Sequence, residues 1–543
     1  MKRRGLETET KDANSDIIET AVTPYTAMLL ATLFLAMILA VPVAQHLYEA
    51  SGWSSSVADP SASTADRPRE DLVVPWFLEY VPTAAQIKAY ETTLESKSIL
   101  RTWLLPPIQA FLSALGSGNQ NVYLGSQGWL FFAPDVQYLT NPGFLDRRGQ
   151  VAHPDAPSPI ATILDFKEQL AERKVELLVV PTPVKPMLYP EKLVPGFSHE
   201  RSLLHNPSFD HFVAAMRRAG VHLLDPGYVL LDAKNRGVQV YLAKDTHWTP
   251  TGMELTAQAI AKIVRRIVPD CTSPRTLYTH QDVSVESAGD TARMLYPHDV
   301  DVPQAMERVT VRQIVGTEGK LWPPTRASEI LFLGDSFSNI YSLAGMGWGE
   351  AAGLVEQLSY ELQCPVDSIV LNGSGALAAR QQLSRDLKRG VDRLSGKSLV
   401  VYQFAVRELL HGHWRRFDLA TPQPRELRTI VMTESMRVTG TIAAVARIPR
   451  PGSVPYPNLI VAIHLTNVQS DSPSTVEADI VVLTWGIREG KLTPAARYRA
   501  GQTISLNLVP WDSVSRRYDR YNRSELESEA LWDLEVYWAP AGR

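Results

Sequence analysis

The sequence predicts a membrane anchor, then an α/β domain with a mostly parallel sheet, then a C-terminal all-β domain. Three observations support this prediction. Residues 27–44 form an uncharged, apolar run; short apolar strands alternate with helical patterns in the middle of the chain; and beyond about residue 416 strand patterns follow one another without a long helix. Alternating strands and helices are typical of an α/β sandwich, and successive short strands are typical of a β-sandwich.

The apolar run at residues 27–44 predicts a transmembrane signal anchor. A helix that crosses a bilayer needs about 20 mostly apolar residues, and this run is near the lower limit. Lys2, Arg3 and Arg4 precede it, so the tail 1–26 is expected to stay in the cytoplasm and the rest of the chain to face outward. The alternative is the core of a cleaved signal peptide, but the region before the run is long for one.

Composition and hydrophobic pattern divide the rest of the chain. Residues 45–75 are rich in Ser, Ala, Asp and Pro, which is typical of a flexible linker. Residues 76–415 form the α/β domain, with helices predicted at 160–173 and 251–268. Its predicted strands are Val175–Val180, Val221–Leu224, Val238–Leu242, Glu329–Leu333, Ser368–Leu371 and Ser398–Phe404.

Residues 416–543 read as a β-sandwich because apolar and polar side chains alternate along several short segments. Its predicted strands are Leu427–Thr433, Arg437–Ile448, Leu459–Leu465, Ile480–Trp485, Thr503–Val509 and Trp532–Trp538. Its aromatic residues either stack on sugar rings, as in a carbohydrate-binding module, or fill the core of the domain. These residues are Trp485, Trp511, Trp532, Tyr537 and Trp538.

Charge and cysteine content exclude some classes of protein. The 543 residues include 54 Lys and Arg and 58 Asp and Glu, a net charge of −4, which excludes a strongly basic nucleic-acid binder. Two cysteines exclude a scaffold held together by many disulfides. Outside the cytoplasm Cys271 and Cys364 are able to form a disulfide, but the sequence does not decide whether they do.

Ser336 is the candidate nucleophile. It follows the predicted strand Glu329–Leu333 and the turn Gly334–Asp335, and it precedes a helix. The carboxyl ends of strands in open α/β sheets are where ligands bind, and a helix N-terminus favours developing negative charge. Gly-Asp-Ser alone also marks ordinary turns, so the assignment needs a second motif.

Asp245 and His247 supply that second motif. In an extended segment residues i and i+2 point the same way, so the carboxylate is able to orient the imidazole. Thr249 is a good N-cap and Pro250 suits a first helical position. The alternatives are a structural histidine beside a capped turn, or a metal ligand. The other histidines are scattered, and the glycine-rich segment 345–349 does not follow a strand, so we predict neither a metal nor a cofactor.

Four motifs in this order resemble the SGNH-type polysaccharide O-acetyltransferases of the alginate AlgJ/AlgX family. They are Gly125–Phe131 (Gly-x-x-Gly-Trp-Leu-Phe), Pro181–Pro186 (Pro-x-x-x-Lys-Pro), Asp245–Gly252 (Asp-Thr-His-Trp-Thr-Pro-x-Gly) and Leu333–Phe337 (Leu-Gly-Asp-Ser-Phe). The resemblance implies an SGNH-hydrolase-like three-layer sandwich for 76–415. It also implies a single-pass protein of the inner membrane whose catalytic domain lies in the periplasm or outside the cell.

The resemblance also implies roles for single residues. Ser336 is the acetylated nucleophile, His247 the general base and acid, and Asp245 its orienting partner. The oxyanion and substrate candidates are Asn372, Gly373, Arg407 and Trp248, with the N–H of Ser336 as a further oxyanion donor.

The implied function is O-acetylation of an exported polysaccharide through an acetyl-serine. The acetyl group would come from a multipass membrane acyltransferase. One alternative is an extracytoplasmic carbohydrate esterase or deacetylase that uses the same three residues, because water is then the acceptor. Another is a non-catalytic glycan-binding assembly protein, against which the intact Asp245, His247 and Ser336 argue.

Overall fold

The computed structural model describes most of the chain from residue 118 onward. The described residues are 25, 28, 32, 118–145, 158–197, 203–269, 277–295, 306–316, 319–372, 375–388, 390–419, 435–449, 451, 454, 456–470, 478–518, 521–526, 528, 531 and 534–540. Among them, no helix is both long enough and apolar enough to span a bilayer. Of the predicted anchor only Met28 and Thr32 are described, and the predicted linker 45–75 lies outside the described residues.

Strands and helices alternate over the first described part of the chain. The strands are β1 (Val122–Leu124), β2 (Leu130–Phe132), β3 (Glu176–Thr182), β4 (His222–Leu223), β5 (Thr279–Ala288), β6 (Met306–Val315), β7 (Ile330–Gly334), β8 (Asp367–Val370) and β9 (Leu399–Ala405). The helices are α1 (Ala133–Thr140), α2 (Pro159–Glu172), α3 (Lys185–Leu188), α4 (Pro190–Leu193), α5 (Phe209–Arg218), α6 (Gly227–Asn235), α7 (Pro250–Ile267), α8 (Asp290–Leu295), α9 (Ser336–Asn339), α10 (Leu354–Leu362), α11 (Gly375–Lys388) and α12 (Glu408–His411).

A parallel sheet of five strands in the order β4–β3–β9–β7–β8 forms the centre of this part. Successive side chains of its strands point to opposite faces. Leu178 and Val180 pack on one face with α6, α7 and α10, and Leu177 and Val179 pack on the other with α2, α5 and α11. The prediction of an α/β sandwich with a mostly parallel sheet is therefore confirmed.

One predicted strand is absent and one hairpin was not predicted. Residues 238–242 are not a strand of the sheet; Tyr241 makes a single antiparallel bridge to Trp248 instead. β5 and β6 form a long antiparallel hairpin between α7 and β7. Most of the β5 side chains are exposed or half-buried, so β5 lacks the apolar run by which the central strands were recognised.

The C-terminal strands form a closed sheet, and the prediction of a two-sheet sandwich is wrong. The elements are β10 (Met436–Val445), β11 (Leu459–Ser470), β12 (Ile480–Arg488), β13 (Lys491–Leu492), β14 (Thr503–Pro510), α13 (Trp511–Tyr518), β15 (Asn522–Ser524) and β16 (Val536–Trp538). β12, β16, β14, β10 and β11 pair in a ring, because β11 pairs with both β10 and β12. Two shifts of register in the pairing of β10 with β11 mark irregularities that bend strands, which helps the sheet to curve.

In the C-terminal domain the alternation of apolar and polar residues predicts which side chains are buried. It does not predict which strands pair. Trp485, Trp511 and Trp538 are buried in one apolar cluster, and Tyr537 is buried in another, so these four fill the core. The predicted strand Leu427–Thr433 and Trp532 lie outside the described residues.

Cys364 is buried, and its sulfur is in a disulfide bond. No described cysteine is free. The chain's other cysteine, Cys271, lies outside the described residues.

Candidate active site

The segment that carries Asp245 and His247 folds back on itself before helix α7. The Thr249 N–H donates to the Val240 carbonyl at 3.0 Å, and the Leu242 N–H donates to the His247 carbonyl at 3.1 Å. Thr249 then caps α7, since its Oγ1 accepts from a helix N–H at 3.2 Å and proline occupies the next position. The predicted cap is confirmed, and it fixes the turn at the start of a long helix.

Ser336 is held at the carboxyl edge of the parallel sheet. It begins α9 directly after β7, and Asp335 is the N-cap. The Asp335 carboxylate accepts from the Ala405 N–H at 2.7 Å. Gln403 accepts from the Asp335 N–H at 3.1 Å and donates to Thr182 Oγ1 at 3.0 Å. These bonds connect the ends of β7, β9 and β3, so the position of the serine is set by the sheet.

Asp245, His247 and Ser336 form one series of hydrogen bonds. Asp245 Oδ1 lies 2.6 Å from His247 Nδ1, and His247 Nε2 lies 2.9 Å from Ser336 Oγ. A carboxylate only accepts, so the Nδ1 proton faces Asp245 and Nε2 is left to accept from the serine hydroxyl. The aspartate and histidine are each 2% exposed. The fold thus brings together three side chains that come from two separate motifs.

Burial and the neighbouring charge shift the pKa values of Asp245 and His247 in opposite directions. Burial acts to lower the pKa of His247, but the Asp245 carboxylate more than offsets it and holds that pKa above its ordinary value. Burial acts to raise the pKa of Asp245, yet His247 and backbone N–H donors hold it well below its usual range. Asp245 is therefore ionised, and the histidine is more basic than a free imidazole.

Asp290 is a second carboxylate at this histidine, and the sequence reasoning missed it. Its Oδ2 lies 3.6 Å from His247 Nδ1, and its Oδ1 accepts from the Thr246 N–H at 2.6 Å. Its own N–H donates to Asp245 Oδ2 at 2.9 Å. Burial raises the pKa of Asp290 to about 6, and the nearby Asp245 carboxylate acts in the same direction.

Gly289 explains why Asp290 reaches the site. A Cβ at this position would lie 1.9 Å from the Lys244 carbonyl oxygen, so only glycine lets the two backbones meet. The same carbonyl accepts from the Thr291 hydroxyl at 2.6 Å and the Ala292 N–H at 3.2 Å. The only sequence signal for this contact is a glycine followed by an aspartate after a β5 pattern that is itself weak.

Two buried tryptophans donate hydrogen bonds within the site. The Trp348 indole N–H donates to Asp245 Oδ2 at 3.0 Å. Trp248, predicted as an oxyanion or substrate candidate, is fully buried, and its indole N–H donates to the Phe337 carbonyl at 3.1 Å. It has no exposed surface with which to contact a substrate, so it packs beneath the nucleophile instead.

The other predicted site residues lie around the same opening. Asn372 is buried at the edge of the cavity, where its side chain contacts Asn339 and the Met346 sulfur. Arg407 lines the cavity and pairs with Asp135 at 2.9 Å. Gly373 lies outside the described residues.

A cavity of about 390 Å³ opens onto Ser336 and His247. Its volume is within the range of sites for small ligands. Residues from several elements line it, including α1, α8 and α12. The lining residues are Gln120, Asn121, Phe132, Ala133, Pro134, Gln137, Thr246, His247, Asp290, Met294, Asp335, Ser336, Met346, Asn372, Gly375, Arg407, Glu408, His411, Val454 and Tyr456.

Asp245, His247 and Asp290 also lie close enough to share a metal ion, since one ligand atom from each falls within 4.8 Å of the others. Their atoms are already used within the protein, however. Asp245 accepts from the histidine ring, the Asp290 N–H and the Trp348 indole, and Asp290 accepts from Thr246. The donor set therefore fits the orientation of an imidazole better than the binding of a cation.

A serine, a histidine and a buried aspartate in series at the carboxyl edge of a parallel sheet define a site of the serine esterase and acyltransferase class. Residues 122–405 match the family described as "SGNH hydrolase-like domain, acetyltransferase AlgX". The chain belongs to this family, and the predicted resemblance, SGNH-hydrolase-like fold and acetyltransferase class are confirmed.

Similar proteins include probable alginate O-acetylases. AlgJ of Pseudomonas putida is 26% identical over 299 residues, which span 54% of this chain and 71% of that protein. AlgJ of Pseudomonas aeruginosa is 31% identical over 148 residues, 27% of this chain and 34% of that protein.

Two solved structures are similar to this chain. The O-acetyltransferase domain of Pseudomonas putida AlgJ is 22% identical, covers 56% of this chain and 96% of that one, and has a TM-score of 0.41. Pseudomonas aeruginosa AlgX is 16% identical, covers 71% and 90% respectively, and has a TM-score of 0.40.

The Asp290→Asn variant tests the second carboxylate through the pH dependence of activity. The negative charge of Asp290 favours protonated His247, so its removal lowers the pKa of that histidine. We expect the acid limb of the pH–rate profile for acetyl-ester cleavage to move to lower pH. Asp232→Asn, at an exposed carboxylate paired with Arg236, is the control and should leave the profile in place.

The same variant has a signature in stability. The ordinary pKa of 3.8 rises to about 6 in the fold, so the fold favours protonated Asp290. The protonated carboxyl therefore stabilises the fold fully below pH 3.8, the ordinary pKa, and this stabilisation is lost as the pH rises through about 6, the pKa in the folded protein. In thermal melts this loss should be absent from the Asp290→Asn variant. If neither the pH dependence of melting nor the acid limb of the pH–rate profile changes, the Asp290 carboxylate does not influence His247.

Proposed function

We propose that the protein O-acetylates an exported polysaccharide through an acetyl group carried on Ser336. The series of hydrogen bonds from Asp245 through His247 to Ser336, open to a cavity, is the observation that carries the proposal. The similarity to probable alginate O-acetylases supports a polysaccharide as the acceptor.

The first half of the reaction loads the serine. His247 Nε2 takes the proton of Ser336 Oγ as that oxygen attacks the acetyl carbonyl of the donor. The Asp245 carboxylate stabilises the imidazolium that forms. The bond from the acetyl carbon to the donor then breaks, and the donor group leaves with the proton from His247.

Negative charge develops on the acetyl oxygen during this attack. We assign its stabilisation to the N–H of Ser336 and the side-chain amide of Asn372. The former begins α9, where helix N–H groups are unpaired, and the latter lies at the edge of the same cavity. Arg407 lines the cavity but pairs with Asp135, so we assign it a structural role and not a role in binding the oxyanion.

The second half of the reaction transfers the acetyl group. A sugar hydroxyl gives its proton to His247 Nε2 and attacks the acetyl-serine carbonyl. The bond to Ser336 Oγ breaks, and the proton returns from His247 to the serine. The product is an acetylated sugar, and the enzyme is restored.

The proposed location follows from the N-terminal sequence. The apolar run 27–44 with a basic tail at 1–26 supports a single inner-membrane anchor, with a linker at 45–75 and the acetyltransferase domain at 76–415 in the periplasm. Coenzyme-bound acyl donors are absent there, so a multipass membrane acyltransferase supplies the acetyl group. Protease added to spheroplasts should digest residues 45–543; full protection would contradict this orientation.

Intact-protein mass spectrometry tests the proposal. Full-length protein treated with p-nitrophenyl acetate should gain one acetyl group, and peptide mapping should place it on Ser336. Addition of oligosaccharides should move that group to sugar. An acetyl group on another residue contradicts the mechanism, and free acetate with every acceptor favours the esterase alternative.

A further inference from the structure

The cavity at Ser336 is not built by the α/β part of the chain alone. Val454 and Tyr456 line it as well. Both lie between β10 and β11, in the C-terminal part that forms the closed sheet. The C-terminal domain therefore supplies part of the wall that a substrate meets.

Contacts between the two domains fix the position of this wall. Arg385 of α11 pairs with Glu525 at 2.8 Å, and the arginine side chain is 5% exposed. The turn Ala344–Met346 packs against the C-terminal domain, since a Cβ on Gly345 would lie 3.4 Å from the Asn458 amide. Met346 of this turn also lines the cavity. These contacts hold the C-terminal domain against the α/β part, with Tyr456 at the cavity.

The Tyr456 side chain offers an aromatic face and a polar tip. Burial raises the pKa of Tyr456 to about 12, so the phenol keeps its proton at physiological pH. Its hydroxyl has no hydrogen-bond partner among the described residues, and it remains able to bond a ligand. A tyrosine of this kind suits a sugar, which presents an apolar ring face and hydroxyl groups at its edge.

The charges that line the cavity favour an uncharged sugar. Among the described lining residues Arg407 is the one cation besides histidine, and burial lowers the pKa of His411. The Arg407 guanidinium lies 2.9 Å from Asp135 and 3.8 Å from Glu408, so its charge is already matched. Asp290 lines the same cavity. A sugar carboxylate would lose its hydration there and would find no cation among the described lining residues whose charge is not already matched.

We propose that Tyr456 and Val454 of the C-terminal domain complete an acceptor subsite for an uncharged sugar ring beside Ser336. This inference rests on the proposed function and names its acceptor class. In this arrangement the C-terminal domain selects the acceptor by enclosing the ring that presents its hydroxyl to the acetyl-serine.

Binding measurements test the subsite apart from catalysis. Full-length protein that carries Ser336→Ala is titrated calorimetrically with cellohexaose, mannohexaose and galactohexaose, and with mannuronate hexasaccharide. We expect at least one neutral hexasaccharide to bind more tightly than the mannuronate. Adding Tyr456→Ala should weaken that binding about tenfold, the size of one lost aromatic contact, and Tyr456→Phe should weaken it less.

Tyr228→Ala is the matched control, because Tyr228 is 63% exposed and does not line the cavity; its variant should bind as the parent does. Parent-like binding by the Tyr456→Ala variant, or mannuronate binding at least as tight as that of every neutral hexasaccharide, would overturn the inference. Failure of the wild-type protein to form acetyl-Ser336 would instead count against the proposed function, so the two failures are distinguishable.

Discussion

Replacement of Ser336 by alanine is expected to abolish acetate release from p-nitrophenyl acetate and to prevent acetylation of the protein. The hydroxyl is the acceptor of the acetyl group and lies 2.9 Å from His247 Nε2, so no other atom on this series of hydrogen bonds takes its place. Loss of a serine nucleophile of this type lowers kcat on the order of 10⁴- to 10⁶-fold. Initial rates at saturating ester measure the effect.

The control for this variant is Ser513→Ala, at an exposed serine of α13 whose hydroxyl bonds only locally, to the Pro510 carbonyl. It should retain the wild-type rate. Thermal melts of both variants check that the fold is intact. Turnover by the Ser336→Ala protein at more than a hundredth of the wild-type rate would contradict the nucleophile assignment.

Asp245→Asn is expected to have the second largest effect, with kcat lowered by about 10⁴-fold and KM little changed. Asp245 Oδ2 accepts from the Asp290 N–H and the Trp348 indole, so an asparagine keeps its oxygen there. Its NH₂ group then faces His247 Nδ1 and donates to it. The ring is forced into the tautomer that carries its proton on Nε2, which no longer accepts from Ser336.

Asp210→Asn, at an exposed position in α5, is the matched control and should be silent. Asp290 provides a further comparison because its Oδ2 lies 3.6 Å from the same ring nitrogen. Adding Asp290→Asn to Asp245→Asn should lower the rate again if this carboxylate partly orients the ring. A loss below tenfold in Asp245→Asn would show that the orientation of the imidazole does not depend on Asp245.

Local patterns predicted the parts of the site that lie close in sequence. The i and i+2 spacing of Asp245 and His247, the Thr249 cap and the strand–turn–serine motif all describe contacts within a few residues. They also predicted the centre of the sheet, because β3, β7 and β9 are buried, mostly apolar runs. The pairing of these motifs was inferred from a family resemblance, since spacing alone does not place Ser336 beside His247.

The missed features depend on contacts between distant segments. Asp290 begins α8 just after the strand β5, whose side chains are mostly exposed or half-buried and so give little hydrophobic signal. Tyr456 reaches the cavity only because two domains dock. Trp248 is adjacent to a catalytic candidate in sequence, yet it points into the core. In the C-terminal domain, alternation identified buried faces, but the partner of each strand is decided by closure of the whole sheet.

The catalytic carboxylate gains its donors from places far apart in the chain. The N–H of Asp290 comes from 45 residues away and the Trp348 indole from 103 residues away. A chain that has not yet formed these contacts leaves Asp245 without the groups that aim it at the histidine. Acyl-transfer activity is therefore a property of the completed fold, and a newly synthesised or partly unfolded chain does not cleave esters.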